Sequence, residues 1–305
     1  MSLFSVLGAL ELGLIFSLVA LAVLLSFRIL NFPDLTVDGS FTTGGAVAAI
    51  MIVKGFDPFL ATGCGAAVGA AAGFITAWLT VRMNIMNLLA SILTMIGLYS
   101  INLRIMGKPN IPLINDATVF SVLSPAWMPD YWVRPCVLVA FVLLLKIMID
   151  WYLNSQQGLA LRATGINPRM ARSVGVNTGR GTLVGISISN AFAALAGALF
   201  AQTQGGADIS MGFGTIVVGL AAVIVGETVL SARRMVWITF SAIVGAILYR
   251  FAVATALVSD FIGLQAQDLS LVTAVLVALA LILPGLRKKI LARRQRAGAM
   301  HVARQ

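Results

Sequence analysis

Long apolar runs alternate with short polar stretches along this chain of 305 residues. Most runs hold roughly 17–25 residues, the length a helix needs to cross about 30 Å of hydrocarbon. The pattern predicts spans at 5–28, 38–53, 59–81, 86–106, 132–153, 181–203, 213–231, 235–257 and 268–284. It describes an all-α polytopic membrane protein with about nine transmembrane helices, eight to ten once soft boundaries are allowed for. A spanning β-barrel is disfavoured, because its strands alternate apolar and polar at period two. One segment fits the scheme poorly. In NFPDLTVDGSF, residues 31–41, Pro33 interrupts the helix ahead of two aspartates, so a broken or re-entrant element is expected.

Composition agrees with a bilayer solvent. Hydrophobic residues make up 59% of the chain and charged residues 10%, with a mean hydropathy of +0.98. A soluble domain carries about 25% charged residues, so too little polar surface is present to cover a water-facing globule. The first hydrophobic stretch lacks a basic n-region and an A-x-A-like cleavage site, and is expected to stay in the mature protein. Cys64 and Cys136 lie in apolar segments without metal-ligand spacing, and the only histidine, His301, sits in the tail. Histidine-based catalysis and a metal site are therefore not expected.

The net charge of +10 is unevenly placed: seven of the 21 basic residues lie beyond Gly285. A basic tail abutting a membrane helix reads as a cytoplasmic anchor beside anionic lipid, not as a nucleic-acid surface. Arg162, Arg169, Arg172 and Arg180, then Arg233 and Arg234, fall on the same side as this tail if the spans alternate. The positive-inside rule makes that side the cytoplasm, and Arg28 and Arg82 join it. The expected organisation is one transmembrane domain, 1–286, with a cytoplasmic loop at 154–180, followed by a basic cytoplasmic tail, 287–305. On the outer side, loop 107–131 holds four prolines and three aromatics, suited either to a stiff cap or to a solvated connector.

Small residues predict how the helices pack. Gly65, Gly69 and Gly73 form a small-xxx-small ridge for close helix approach. SFTTGGAVAAIMIV with AAVGAAAGF also resembles GFGTIVVGLAAVIV with AIVGAILYRF, and the two copies start on opposite sides of the membrane. Such an inverted repeat is common in transporters, although apolar sequence also produces matches of this kind by chance.

Two polar segments are candidates for function. Residues 158–181, GLALRATGINPRMARSVGVNTGRG, lie between spans on the basic side. Asn167 as N-cap and Pro168 at the first helical position predict a short helix through Met170, Ala171 and Val174, stopping at Gly175. Framed by glycines, it suits docking into a groove on another protein; a plain basic connector is the alternative. In residues 31–41, Asp34 and Asp38 flank Thr36. Carboxylates are costly in hydrocarbon and face water or a partner, so these residues could meet a substrate ammonium or shape a gate. Asp38-Gly39-Ser40 reads equally as an N-cap and first turn, or as a solvated interface. Asn87, Ser91 and Thr94 form one polar stripe, of which Asn87 and Thr94 are path candidates and interhelical bonding is the alternative. Lys146 and Asp150 form an i,i+4 pair, while Glu11, Arg104, Glu227 and Arg250 are expected to pair across helices or at a dimer seam.

The run GLALRATGINPRMARSVGVNTGR resembles the coupling loop of the permease family that includes bacterial branched-chain amino acid and ribose importers. Gly158, Arg162, Ala163, Gly165, Ala171, Gly175, Val176 and Asn177 fill that family's pattern. The similarity runs along nearly the whole chain. MGFGTIVVGLAAVIVGETVL resembles the family's later Gly-rich helix, with Glu227 where a small residue is usual, and SFRILNFPDLTVDGSF looks most like the tryptophan/tyrosine-type subgroup. The resemblance implies the permease of an ATP-binding cassette importer in the bacterial inner membrane. It implies pairing as a homodimer or with a close relative, two ATPase subunits docking on residues 158–180, and an extracytoplasmic binding protein that delivers an amino acid or similar small solute. Coupling residues carried by the motif and its helix are Arg162, Ala163, Gly165, Asn167, Pro168, Arg169, Ala171, Gly175, Val176 and Asn177. No G-x-x-x-x-G-K-[ST] loop occurs, so ATP and magnesium would bind the partner chain, with no cofactor in this one. An ion- or proton-coupled secondary transporter is the alternative, and would use Asp34, Asp38, Glu11 or Glu227. A membrane enzyme is disfavoured, since paired-aspartate, zinc-ligand and nucleophile–base sets are absent from the sequence.

Overall fold

The computed structural model describes residues 3–114, 116–124, 130–230, 234–258, 275 and 278. The predicted span 268–284 (apart from Val275 and Ala278, both helical), Arg233, residues 125–129 of the outer loop and the tail 287–305 lie outside the described residues.

Helices dominate because a hydrocarbon solvent offers the backbone no other partners. They are α1 (Leu3–Val23), continued by a π-helical segment (Leu24–Ile29), α2 (Thr36–Val53), α3 (Pro58–Met83), α4 (Asn87–Met106), α5 (Val119–Val122), α6 (Asp130–Asn154), α7 (Gln156–Ile166), α8 (Pro168–Ser173), α9 (Thr178–Gln204), α10 (Thr215–Val229) and α11 (Met235–Val258). Two short strands, β1 (Asn110–Pro112) and β2 (Gly206–Asp208), pair antiparallel with Ile111 opposite Ala207. Seven of the described helices are long and apolar enough to cross a membrane, while α10 is shorter. The expected count of nine is thus seven full-length spans and one 15-residue helix among the described residues. The chain divides into two compact units, 1–251 and 252–305; residues 252–258, the last of α11, fall in the second.

The centre of the first unit is α9, packed against α1, α2 and α3. The glycine ridge of α3 does what its spacing predicts. A Cβ at Gly69 would lie 2.7 Å from the Asn190 carbonyl oxygen of α9, and one at Gly65 2.8 Å from the Gly44 oxygen of α2. Phe16, Phe41 and Phe200 join α1, α2 and α9 in an aromatic cluster, with the Phe41 and Phe200 centroids 5.5 Å apart. A smaller cluster of Ala46, Ile52, Ile111 and Ala207 closes the end of the bundle that carries the β-ribbon. The opposite end carries α7 and α8.

Several of the charges have partners within or across helices. Lys146 Nζ lies 2.6 Å from Asp150, which also accepts from Thr239 Oγ1 at 2.6 Å, tying α6 to α11. Arg28 Nε donates to Glu227 at 2.7 Å, joining the end of α1 to α10. The Arg250 guanidinium sits 3.8 Å over the Phe16 ring.

The two halves of the inverted match do not start on opposite sides: the first turn of α2 and the start of α10 meet. Gly219 and Glu227 of α10 meet Val23 and Arg28 successively, so α10 runs toward the α7–α8 end. By contrast α2 ends at Ile52 in the ribbon-end cluster. The two helices leave a common junction in opposite directions, and each is preceded by non-helical chain.

Candidate functional site

The junction begins where the helix preceding Thr36 fails. The Leu30 N–H reaches Leu25 and the Phe32 N–H reaches Ser26, Asn31 takes φ 53°, and residues 31–34 run without helix. Asp34, fully buried, restores the lost partners. Its Oδ1 accepts from the Thr36 N–H at 2.9 Å and its Oδ2 from Asn190 Nδ2 at 2.7 Å. Asn190 Oδ1 in turn accepts from Ser40 Oγ at 2.7 Å, and the Thr36 and Thr76 hydroxyls share a 2.8 Å bond. A carboxylate this deep is tolerable because donors surround it. The network sets the depth: by residue count Asn190 lies about 18 Å along α9 from its start. The break therefore places the motif well inside the bundle, not near its inner face as a linear topology would.

Asp38 does not cap its own helix. It sits in the first turn of α2, and its carboxylate reaches across to α10. Oδ2 accepts from the Gly214 N–H at 3.0 Å; Oδ1 accepts from Thr215 Oγ1 at 2.7 Å and from the Ile216 N–H at 2.8 Å. The local N-cap of α10 is Gly214, whose φ of +81° is available to glycine at little cost and which has no side chain to cap with. A side chain from α2 fills that place. The cap expected on the helix that follows Asp38 in sequence is thus found on one whose first residue lies 177 positions on.

The other path candidates separate. Thr36 is buried in the Asp34 network. Thr94, 9% exposed, returns its hydroxyl to Ala90, and Ser91 does the same to Leu88. Asn87 lines a cavity of about 390 Å³ at the α7–α8 end, together with Asn31, Asn84, Thr164 and Arg172. One residue escapes the sequence pattern: the stripe of Asn87, Ser91 and Thr94 continues through buried Leu98 to Asn102, which is buried beside Asp38.

At that end the local forecast of a short helix is realised. Asn167 Oδ1 accepts from the Arg169 and Met170 N–H groups, both at 3.1 Å, and Pro168 opens α8. Gly175, φ +85°, ends the turn while the Val176 N–H returns to Ala171. Asn177 caps α9 through the Arg180 N–H at 3.0 Å. The loop also holds α7, which the sequence pattern does not separate from a connector; its N-cap is Ser155. Gly165 of α7 abuts the Ile29 carbonyl, and a side chain there would overlap it. Ala163 is half-buried and Ala171 fully buried, while Ile166, Met170 and Val174 are 86%, 58% and 68% exposed beside Arg169 and Arg172. Arg162 Nε is buried without a hydrogen-bond partner. The element presents apolar side chains and guanidinium groups from a base fixed to the bundle.

Comparison with known proteins points the same way. The family described as the permease component of the branched-chain amino acid transport system matches residues 5–283. The chain is 38% identical over 266 residues to a tyrosine transport system permease protein of Clostridioides difficile, covering 87% of this chain and 86% of that one. It is 37% identical over 222 residues to an uncharacterized protein of Rickettsia prowazekii, covering 72% and 76%. A ribose import permease protein of Escherichia coli is 24% identical over 209 residues, 66% of this chain and 62% of that one. With the multi-pass helical bundle, these matches make the chain a membrane-embedded permease component of an ABC transporter, and it belongs to the branched-chain amino acid transport system permease family.

Proposed function

We propose that this chain forms the translocation path of an importer for an amino acid or similarly small solute, with an aromatic amino acid as the first to test. It contributes no catalysis; separate ATPase subunits bind ATP and magnesium and dock on residues 158–180. An extracytoplasmic binding protein delivers the solute, and two permease copies, or this chain and a close relative, enclose the path. Residues 1–286 make up the permease and 287–305 a basic cytoplasmic tail. The α7–α8 end faces the cytoplasm of a bacterial inner membrane, as the cluster of Arg28, Arg82, Arg162, Arg169, Arg172, Arg180 and Arg234 supports.

The observation that carries this reading is the α7–α8 element. Exposed Ile166, Met170 and Val174 with flanking arginines suit a partner surface, and Gly165 against Ile29 puts α7 in direct contact with the broken end of α1. Motion imposed on α7 would reach the non-helical residues 31–34 and Asp34 within five residues of chain from Ile29, as a lever on a bistable element requires. Arg162→Glu with Arg169→Glu tests it. The variant is expected to insert normally and to lose co-purification with the P-loop ATPase and ATP-driven uptake. Normal assembly and transport by that variant would overturn the docking assignment, and uptake by the purified chain without ATP would favour an ion-coupled carrier.

A further inference from the structure

A small recess opens beside the Asp38 junction, between α2, α4 and the segment leading into α10. It has room for about 20 Å³ and is lined by Asp38, Thr42, Tyr99, Asn102 and Phe213 among others. A single water needs roughly 10–15 Å³, so the recess admits one small polar group and no more. Asn102, 1% exposed, donates from Nδ2 to the Gly39 carbonyl at 3.5 Å, which leaves Oδ1 pointing away, buried and without a hydrogen-bond partner. Reversing the amide would set two carbonyl oxygens against each other. An unpaired acceptor at this depth costs about 1–3 kcal/mol, and a donor arriving from outside removes that cost.

The surroundings decide which donor. Among the described residues that line the recess none is cationic, Asp38 is one of them, and two are part-exposed aromatics, Tyr99 46% and Phe213 67% exposed. Carboxylate, carbonyl oxygen and ring faces all favour positive charge. We propose that this recess receives the ammonium group of the transported solute, with Asn102 Oδ1 as its acceptor and Tyr99 and Phe213 flanking the remainder of the molecule. Asn102 is then a specificity-determining residue that selects primary ammonium over hydroxyl. This rests on the reading of the chain as a permease for an amino acid.

The test uses thiol chemistry and needs no knowledge of the substrate. Cys64 and Cys136 are replaced by alanine in the full chain, and Asn102→Cys is labelled in native membranes with 2-aminoethyl, methyl and 2-sulfonatoethyl methanethiosulfonates. Rates are divided by those at Ile114→Cys, which lies outside the spans and is 82% exposed. The cationic reagent is expected to react roughly tenfold faster than the neutral one, the scale of a desolvated cation–π contact, and the anionic reagent slowest. A second variant, Phe213→Cys, keeps Asn102 and is expected to show a larger cation preference than Asn102→Cys, falling to the Asn102→Cys value when Asn102→Leu is added; a preference that Asn102→Leu leaves unchanged overturns the role of Asn102. No cation preference at either position, or cysteines that stay unreactive while Ile114→Cys labels, overturns the assignment. Failure of the permease reading shows separately, as loss of ATPase co-purification.

Discussion

Asp34 and Asp38 lie four residues apart and serve different helices. Asp34 turns inward to Thr36 and Asn190; Asp38 turns outward to Gly214, Thr215 and Ile216. Neither arrangement was legible: the sequence offers Asp34 only as a path or gate residue, and no local signal ties it to Asn190, 156 residues away, or ties Asp38 to Thr215, 177 residues away. Asp34→Leu should lower the unfolding temperature in detergent, each buried donor left unpaired costing about 1–3 kcal/mol. With Asn190→Leu the losses should add to less than their sum, by about 0.5–3 kcal/mol; strict additivity would show that the two side chains do not act as a pair. Asp38→Ala should speed amide exchange at Gly214 and Ile216 while leaving the middle of α2 protected. Unchanged exchange there would remove Asp38 as the cap of α10.

Among the elements, those written by solvent were easy to read and those written by depth were not. Hydropathy located every described long span because the bilayer rewards burial of any apolar run. It could not see that α10 starts inside the bundle, since residues 209–214 are placed by contacts with Asp38, Thr42 and Gly45. Nor did it reveal α7, whose Gly158 and Gly165 look like hinges but mark close packing on Leu153 and Ile29. Within loop 107–131, the described residues 116–124 hold a short helix, α5. Gln202 Oε1 accepts from the Val119 N–H at 2.9 Å while its Nε2 donates to Thr62 Oγ1 at 2.9 Å, so α5 is fastened to α3 and α9. Gln202→Leu should make residues 113–124 markedly more sensitive to added protease, with the spans still resistant; equal cleavage would show that the cap is held by other means. Beside the ribbon, hydrogen bonds from the Ser210 hydroxyl and N–H hold the Asp208 carboxyl below the usual carboxylate range. A depressed pKa stabilises the fold above the unfolded value and is lost as pH falls through the folded one. Exchange protection of β2 should therefore persist at neutral pH and fade in strong acid, and should fade earlier in Ser210→Ala.

For the whole molecule, the proposed assembly is two permease chains, this one twice or with a close relative, and two ATPase subunits. The mass of the purified particle measures this directly, and a particle holding one permease chain would refute it. The short α10 bears on how the molecule is made. Fifteen residues give about 22 Å of helix against about 30 Å of hydrocarbon. Such a segment is a poor substrate for independent insertion by the translocon, and its leading end has no acidic residue of its own to cap it. Its missing cap was synthesised far earlier, in α2, and waits inside the bundle. Insertion of α10 is therefore expected to follow that of α2, and Asp38→Ala should shorten the half-life of the chain in a pulse-chase in native membranes; an unchanged half-life would remove this dependence.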